Sequence, residues 1–340
     1  MSKTSVKVLI SSTFDPWFNL ATEDWIFQDM NPDTKILFLW RNEETVVIGR
    51  FQNPWIECNT GMMEKDGIKL ARRQSGGGAV FHDLGNTNFT FLSGKEGFDK
   101  SANNTIITRA INSFGLKSYP SGRNDILVDD LEGPKKISGS AFKEKKDRSF
   151  HHGTLLIDAD LTRLGNYLNP NKKKLVSKGI KSVRSRVTNL SLLNPEITHD
   201  SLTQKVIEEF FNYYQVEGPI EHLDHSVLET IEPLNRYYEA LKDWKWRFGE
   251  TPKFTHNLVE RFEWGEMDVH IDAHKGMIEK CTLFSDSLHP QLVEALANEF
   301  PGHPYTTKTV DLVVEKITRE MPFLEHELHE FCTWMKSQIV

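Results

Sequence analysis

Three consecutive glycines, Gly76, Gly77 and Gly78, stand in the segment ARRQSGGGAVFHDLGNTNFTF, residues 71 to 91, with β-type sequence on either side. Glycine reaches backbone angles closed to other residues and lets a ligand or another main chain approach closely. Successive N–H groups in such a turn form a concavity for anions. Arg72 and Arg73 beside it carry planar forks suited to phosphate or carboxylate. The segment does not match the spaced nucleotide loops. Phe81 occupies the sixth position where G-x-G-x-x-G needs glycine, no helix pattern follows, and no G-x-x-x-x-G-K-[ST] is nearby. Spacing alone leaves two readings open, a surface hairpin turn and an anion cradle.

Around this loop the chain alternates short β-type runs with helical patterns. Strands are expected at Val6–Ile10, Lys35–Arg41, Thr45–Gly49, Ile68–Arg72, Asn86–Leu92, Ile126–Val128, Lys136–Phe142 and Thr154–Asp158. Helices are expected at Asn19–Met30, Ile56–Lys65, Asn104–Phe114, Leu161–Leu168 and Leu202–Tyr214, the last with an apolar stripe of Leu202, Val206, Phe210 and Tyr214. This intermixed order predicts an α+β fold rather than a doubly wound sheet. With 340 residues, two domains are expected. Gly249 and Pro252, between two aromatic clusters, mark the joint, so the domains are read as 1–247 and 252–340. The second would hold strands at Asn257–Trp264 and Asp268–Ile271, then helices at Pro290–Phe300, Val310–Thr318 and Leu324–Lys336.

Several function classes fall away. No run of about 18 apolar residues is present, so no membrane span is expected. The first residues lack a cleavage pattern, and Cys58, Cys281 and Cys332 are scattered with no C-x-x-C pair. Both observations point to a reducing cytoplasm without disulfides or a zinc cluster. A formal net charge of −7 gives no general affinity for nucleic acid.

Four further features carry chemistry. Lys135 and Lys136 are neighbours on an expected strand and so point to opposite faces. A lysine facing a site can neutralise phosphate, whereas most lysine pairs are solvated. His151 and His152 lack a third metal ligand at suitable spacing, which favours a hydrogen-bonded histidine near a ligand. The stretch 171–186 holds seven Lys or Arg and no acid. It reads as a mobile basic loop, a nucleic-acid patch without stacking aromatics, or a loop over a phosphate-bearing ligand. Glu23 falls on the apolar stripe of its helix, and Trp40 ends an apolar strand that can line the same space.

Together the segments DPWFNLA (15–21), LFLWRN (37–42), TVVIGR (45–50), NPWIECN (53–59), RRQSGGGAVFHDLGNTNFTF (72–91), SGRNDI (121–126), KISGSAF (136–142), FHHGTLL (150–156) and KGIKSVRSRVTNL (178–190) closely resemble the bacterial lipoate–protein ligase A family along essentially the whole chain. The resemblance implies a large domain with the biotin/lipoate ligase fold, a twisted and mostly antiparallel sheet flanked by helices, and a small α+β C-terminal accessory domain. It implies that lipoate and Mg-ATP form lipoyl-AMP and pyrophosphate, after which a lysine of an acceptor takes the lipoyl group. The acceptors implied are apo lipoyl domains of 2-oxoacid dehydrogenase acyltransferase subunits and the glycine-cleavage H protein. Lys136 matches the essential lysine. Arg73, Ser75, Gly76, Gly77, Gly78, Ala79, Val80, Phe81, Asn124, Asp125, Ser138 and Gly139 match the adenylate and lipoate cradle. Glu23, Trp40, His82 and His152 match the lipoyl pocket. Lys178, Gly179, Ser182, Val183 and Arg184 match an adenylate loop, which lowers the nucleic-acid reading. Magnesium would arrive with ATP, with no protein ligand identified, and a monomer is expected. A transferase of the same fold that does not use ATP is the alternative.

Overall fold

The computed structural model describes residues 5–52, 54–168, 187–247, 256–274 and 277–338. The chain divides into two compact units: Met1–Val47, Trp55–Arg72 and Val80–Arg247 form one, and Ile48–Pro54, Arg73–Ala79 and Phe248–Val340 form the other.

The first unit is built on an eight-stranded sheet. Its strands are β1 Ser5–Ser11, β2 Thr34–Trp40, β6 Asn86–Gly94, β7 Ser118–Ser121, β8 Asp125–Val128, β9 Lys135–Glu144, β10 Arg148–Leu156 and β11 Ile220–Leu223, in the order β11-β1-β2-β6-β10-β9-β8-β7. Only β1 pairs in parallel, with β11 and β2; the other neighbours are antiparallel. A smaller sheet, β4-β3-β5, consists of β3 Thr45–Ile48, β4 Lys69–Arg72 and β5 Val80–His82. The fold is therefore α+β with a mostly antiparallel sheet.

Both faces of the large sheet are covered. Helices α2 (Lys100–Asn112) and α3 (His199–Tyr214) share one core with Leu37, Phe89, Phe91, Ile137 and Leu155. Helices α1 (Pro16–Asp29) and α4 (Glu232–Lys242) share another with Phe38, Trp40, Leu92 and Phe150. Each fully buried large apolar side chain contributes about 1.5–3 kcal/mol. Strand β6 is buried along its whole length, with Phe89 and Phe91 in the first core and Leu92 in the second, as a two-residue period requires.

Helix α1 shows how the DPW motif works. Asp15 caps it, accepting from the N–H groups of Trp17 and Phe18 while Pro16 takes the first helical position. Its other oxygen receives the Tyr238 hydroxyl at 2.8 Å and faces His225 at 3.1 Å. Burial pushes the Asp15 carboxyl up, but these hydrogen bonds outweigh it and hold the pKa below the ordinary value. At the other end, the Arg148 guanidinium donates to the carbonyls of Phe27, Gln28 and Met30. The α3 stripe buries Leu202, Val206 and Phe210, with Tyr214 half-buried.

In the second unit, β12 His256–Phe262, β13 Gly265–His274 and β14 Met277–Ser285 form an antiparallel sheet. It packs against α5 (Pro290–Glu299), α6 (Thr307–Glu320) and α7 (Glu325–Gln338) around Met267, Val269, Ile271, Leu292, Val310 and Phe331. Two segments distant in sequence belong here. Phe51 accepts from the N–H of Ser285, and Ser287 accepts from the N–H of Gly77.

Some elements escaped the sequence reading. The adjacent charges Glu279 and Lys280 obscure the alternation of β14. Helix α4 escaped that reading although Leu234, Tyr237, Tyr238 and Leu241 fall at helical spacing, with Leu234 and Leu241 buried. The run read as a helix from Ile56 to Lys65 is two short helices, Pro54–Glu57 and Thr60–Lys65, broken where Cys58 bridges Leu168. The Leu161–Leu168 helix shrinks to Leu164–Tyr167.

Candidate active site

Strand β9 places the two lysines differently. Val128 and Leu127 stand opposite Lys135 and Lys136, and the register slips by one residue next to Ile126, which faces Ser138. Both Ile137 and Ser138 are thereby buried toward the α2/α3 side, and Lys136 and Gly139 share the other face although two residues lie between them. A Cβ on Gly139 would lie 3.1 Å from the Lys136 Nζ, so the missing side chain is where the lysine rests. Asp125, opposite Gly139, pairs with the Lys136 ammonium at 2.7 Å. Lys135 instead pairs with Glu132 at 3.1 Å.

Asn124 has a constructional part. Its Nδ2 donates to the Ser140 carbonyl, and its own carbonyl accepts from the N–H and hydroxyl of Ser140. Ser138 is buried, and its hydroxyl makes no hydrogen bond among the described residues.

On the same face of the sheet lies a buried polar chain. The Trp40 indole N–H donates to Thr90 Oγ1 at 3.0 Å, and the Thr90 hydroxyl donates to Glu23 Oε2 at 2.7 Å. Both Glu23 oxygens lie within 3.0 Å of His152 Nδ1. Strand pairing explains the arrangement: Thr90 is opposite both Phe38 and His152, and Asn88 is opposite both Trp40 and Thr154. The Gly139 N–H donates to Thr154 Oγ1 at 3.2 Å. One row across the sheet thus runs Trp40, Asn88, Thr154, Gly139 and Asp125, with Lys136 above Gly139. From β2 to β9 it crosses three strand spacings, about 14 Å. His82 joins from β5, its Nδ1 3.2 Å from Asn42 Nδ2 and its ring beside Trp40.

The adjacent histidines have separate fates. His151 faces the opposite core, stacked on Phe142 and edge-on to Phe89. Burial first, then the neighbouring His152 and Lys100, hold it well below the usual histidine pKa. Among the described residues, no group of three His, Cys, Asp or Glu is placed to hold a metal.

The glycine loop belongs to the second unit, and it is not a hairpin, because β4 and β5 flank β3 instead of pairing together. Ser75, Gly76 and Gly77 are buried and Gly78 and Ala79 half-buried. A Cβ on Gly76 would occupy the Ser287 carbonyl, whereas one on Gly78 would meet nothing within 4 Å. Gly77 has φ +93°, open to glycine. The Arg73 guanidinium donates to Ser75 Oγ and to the carbonyls of Gly76 and Gly78 at 2.7–3.2 Å. In the first unit, Arg72 donates to the carbonyls of Trp246 and Arg247. Buried carbonyls need partners, and a five-donor fork supplies several at once. Val80 and Phe81 open β5, where Phe81 packs on Tyr167. Lys178, Gly179, Ser182, Val183 and Arg184 lie outside the described residues.

Sequence reading missed Asn88, Thr90 and Thr154. A signal existed: Asn86, Asn88 and Thr90 alternate with Thr87, Phe89 and Phe91, a polar stripe on a fully buried strand.

Comparison with known proteins bears on this arrangement. The family model described as the lipoyl protein ligase A/B catalytic domain matches residues 15–211, and that of the bacterial lipoate protein ligase C-terminus matches 251–335. The chain is 50% identical over 339 residues to lipoate-protein ligase A of Psychrobacter cryohalolentis, covering 98% of this chain and 99% of the relative. Among solved structures, P. falciparum LipL1 in complex with lipoate superposes with a TM-score of 0.86 at 33% identity, covering 98% of this chain and 100% of that one. A bipartite lipoate protein ligase from Thermoplasma acidophilum, described with its E2 lipoyl domain, gives 0.64 at 26%, covering 74% and 99%. With both halves matched and a relative of equal length at half identity, the chain belongs to the lipoate-protein ligase A family.

Proposed function

We propose that this ligase activates lipoate with ATP and transfers the lipoyl group to a lysine of an apo lipoyl domain. A carboxylate is a poor electrophile. Its oxygen attacks the α-phosphorus, the bond to pyrophosphate breaks, and the mixed anhydride lipoyl-AMP has a good leaving group. The acceptor's ε-amine then attacks the acyl carbon, AMP leaves, and the amine loses a proton as the amide forms. The observation that carries this reading is Lys136 held over Gly139 by Asp125 on the same sheet face as the Trp40–Thr90–Glu23–His152 chain. That face offers a cation for charge developing on carboxylate and phosphate. Asp125 keeps the ammonium neutralised until the anionic substrate replaces it.

We assign adenylate binding to Ser75–Phe81, Asn124, Asp125, Ser138, Gly139 and the residues 178–184, with Arg73 shaping the loop through its carbonyls. Glu23, Trp40, His82 and His152 are assigned to the lipoyl pocket. Residues 1–247 are read as the catalytic domain and 252–340 as accessory. Mg²⁺ enters as the ATP salt. The acceptors are lipoyl domains of 2-oxoacid dehydrogenase acyltransferases and the glycine-cleavage H protein, and the enzyme works in the cytoplasm as a monomer. No described helix is long and apolar enough to cross a membrane.

The ATP-independent transferase reading is weaker where it invokes a thiol nucleophile. Cys58 is buried, and burial with the charge of Glu57 pushes its pKa up to about 12, so almost no thiolate exists near neutrality. The test is pyrophosphate release with ATP, Mg²⁺ and lipoate, followed by weighing an added apo lipoyl domain. Lipoate-dependent release with a lipoyl mass gain supports the ligase. Modification only from supplied lipoyl-AMP, without pyrophosphate from ATP, favours a transferase.

A further inference from the structure

Asn88 is 2% exposed and lies between Trp40 and Thr154 in the row that leads to Lys136. Its Oδ1 accepts from Asn86 Nδ2 at 3.0 Å. Its Nδ2 makes no hydrogen bond among the described residues. A buried and unanswered N–H is unfavourable unless something supplies an acceptor. The other polar groups in the row are already engaged: Thr154 with Gly139, and Lys136 with Asp125. No described residue supplies the missing acceptor, and a bound ligand would.

Resting on the ligase reading above, we propose that Asn88 is a substrate-binding residue whose amide N–H donates to the carboxylate oxygen of lipoate. After activation the same donor meets the acyl carbonyl of the mixed anhydride. The position favours this end of the substrate. Asn88 shares its row with Gly139 and Lys136, which answers the carboxylate, while the Glu23–Thr90–His152 chain occupies the next row along the strands. The donor is neutral, so it orients an oxygen without adding charge. Lys136 supplies the charge.

The test uses the full chain in the pyrophosphate-release assay, varying lipoate at saturating ATP and the reverse. Asn88→Leu keeps the approximate shape and removes the donor. The KM for lipoate is expected to rise about ten-fold or more and that for ATP to stay within about two-fold. The melting temperature should fall modestly, because the buried Asn86 Nδ2 loses its acceptor. Octanoate, which has the carboxylate but not the dithiolane, should lose as much as lipoate. Asn88→Asp, which sets an anion against the carboxylate, should cost about 100-fold in kcat/KM. If Asn88→Leu leaves the lipoate KM unchanged, Asn88 is only a core amide that holds Asn86 and the proposal is overturned. A rise confined to the ATP KM overturns it too, by giving the donor to the nucleotide. Should the Leu variant lose its cooperative melt, Asn88→Ala poses the same question with only a void left behind. A wild-type chain with no lipoate-dependent pyrophosphate release defeats the ligase reading itself, a failure visible before any variant is made.

Discussion

Thr90 is the middle of the buried chain, accepting from the Trp40 indole and donating to Glu23. Thr90→Val preserves shape and removes only the hydroxyl. The indole N–H, buried with Trp40, is then left unpaired, at about 1–3 kcal/mol. Glu23 loses a donor worth about 1.5–3 kcal/mol but keeps His152, so the total expected is about 3–4 kcal/mol. For a unit of this size that corresponds to a fall of about 6–16 °C in the calorimetric melting temperature. The sharper check is a double-mutant cycle with Trp40→Phe, which has no N–H to strand. In that background Thr90→Val should cost about 1–3 kcal/mol less. A cost below about 1 kcal/mol, or additivity within about 0.5 kcal/mol, would show that the hydroxyl does not link the two groups.

Lys136→Ala should abolish lipoyl-AMP formation while the melting temperature stays close to wild type, since its side chain is one-third exposed; near-normal pyrophosphate release would sink its assignment. Gly76→Ala should destabilise the second unit by about 2 kcal/mol or more, because its Cβ would enter the Ser287 carbonyl, while Gly78→Ala has open space and should change stability by less than about 0.5 kcal/mol; equal effects in thermal melts would contradict this packing. Stability should also fall as the medium is acidified from about pH 6.5. There the unfolded chain takes up protons that His151 and His199 refuse when folded. Burial and the nearby Arg41 hold His199 at about 4, so its share of the loss is complete near that pH. In chemical denaturation between pH 7 and 4, His199→Gln should flatten the slope, and an unchanged slope would clear this residue.

The glycine loop separates what was legible in the sequence from what was not. Its composition announced a close backbone approach, but which backbone approaches Gly76 is a matter of folding: it is Ser287, from a remote segment. The two arginines looked like phosphate clamps, and burial gave both of them carbonyls to satisfy. The rule that neighbours on a strand face opposite ways divided Lys136, which pairs with Asp125, from Lys135, which pairs with Glu132.

By itself the sequence determined the alternation of strands, the apolar stripe of α3 and the motifs that carry the family. These depend on residues a few positions apart, whose spacing sets which face they share. Only tertiary structure decided that Trp40, Asn88, Thr154, Gly139 and Asp125 form one row. That row needs the register of five strands and one irregularity beside Ile126. A slip of one residue in any pairing would send its side chain to the opposite core, and register is set by the burial of both faces together, which no local window of sequence contains.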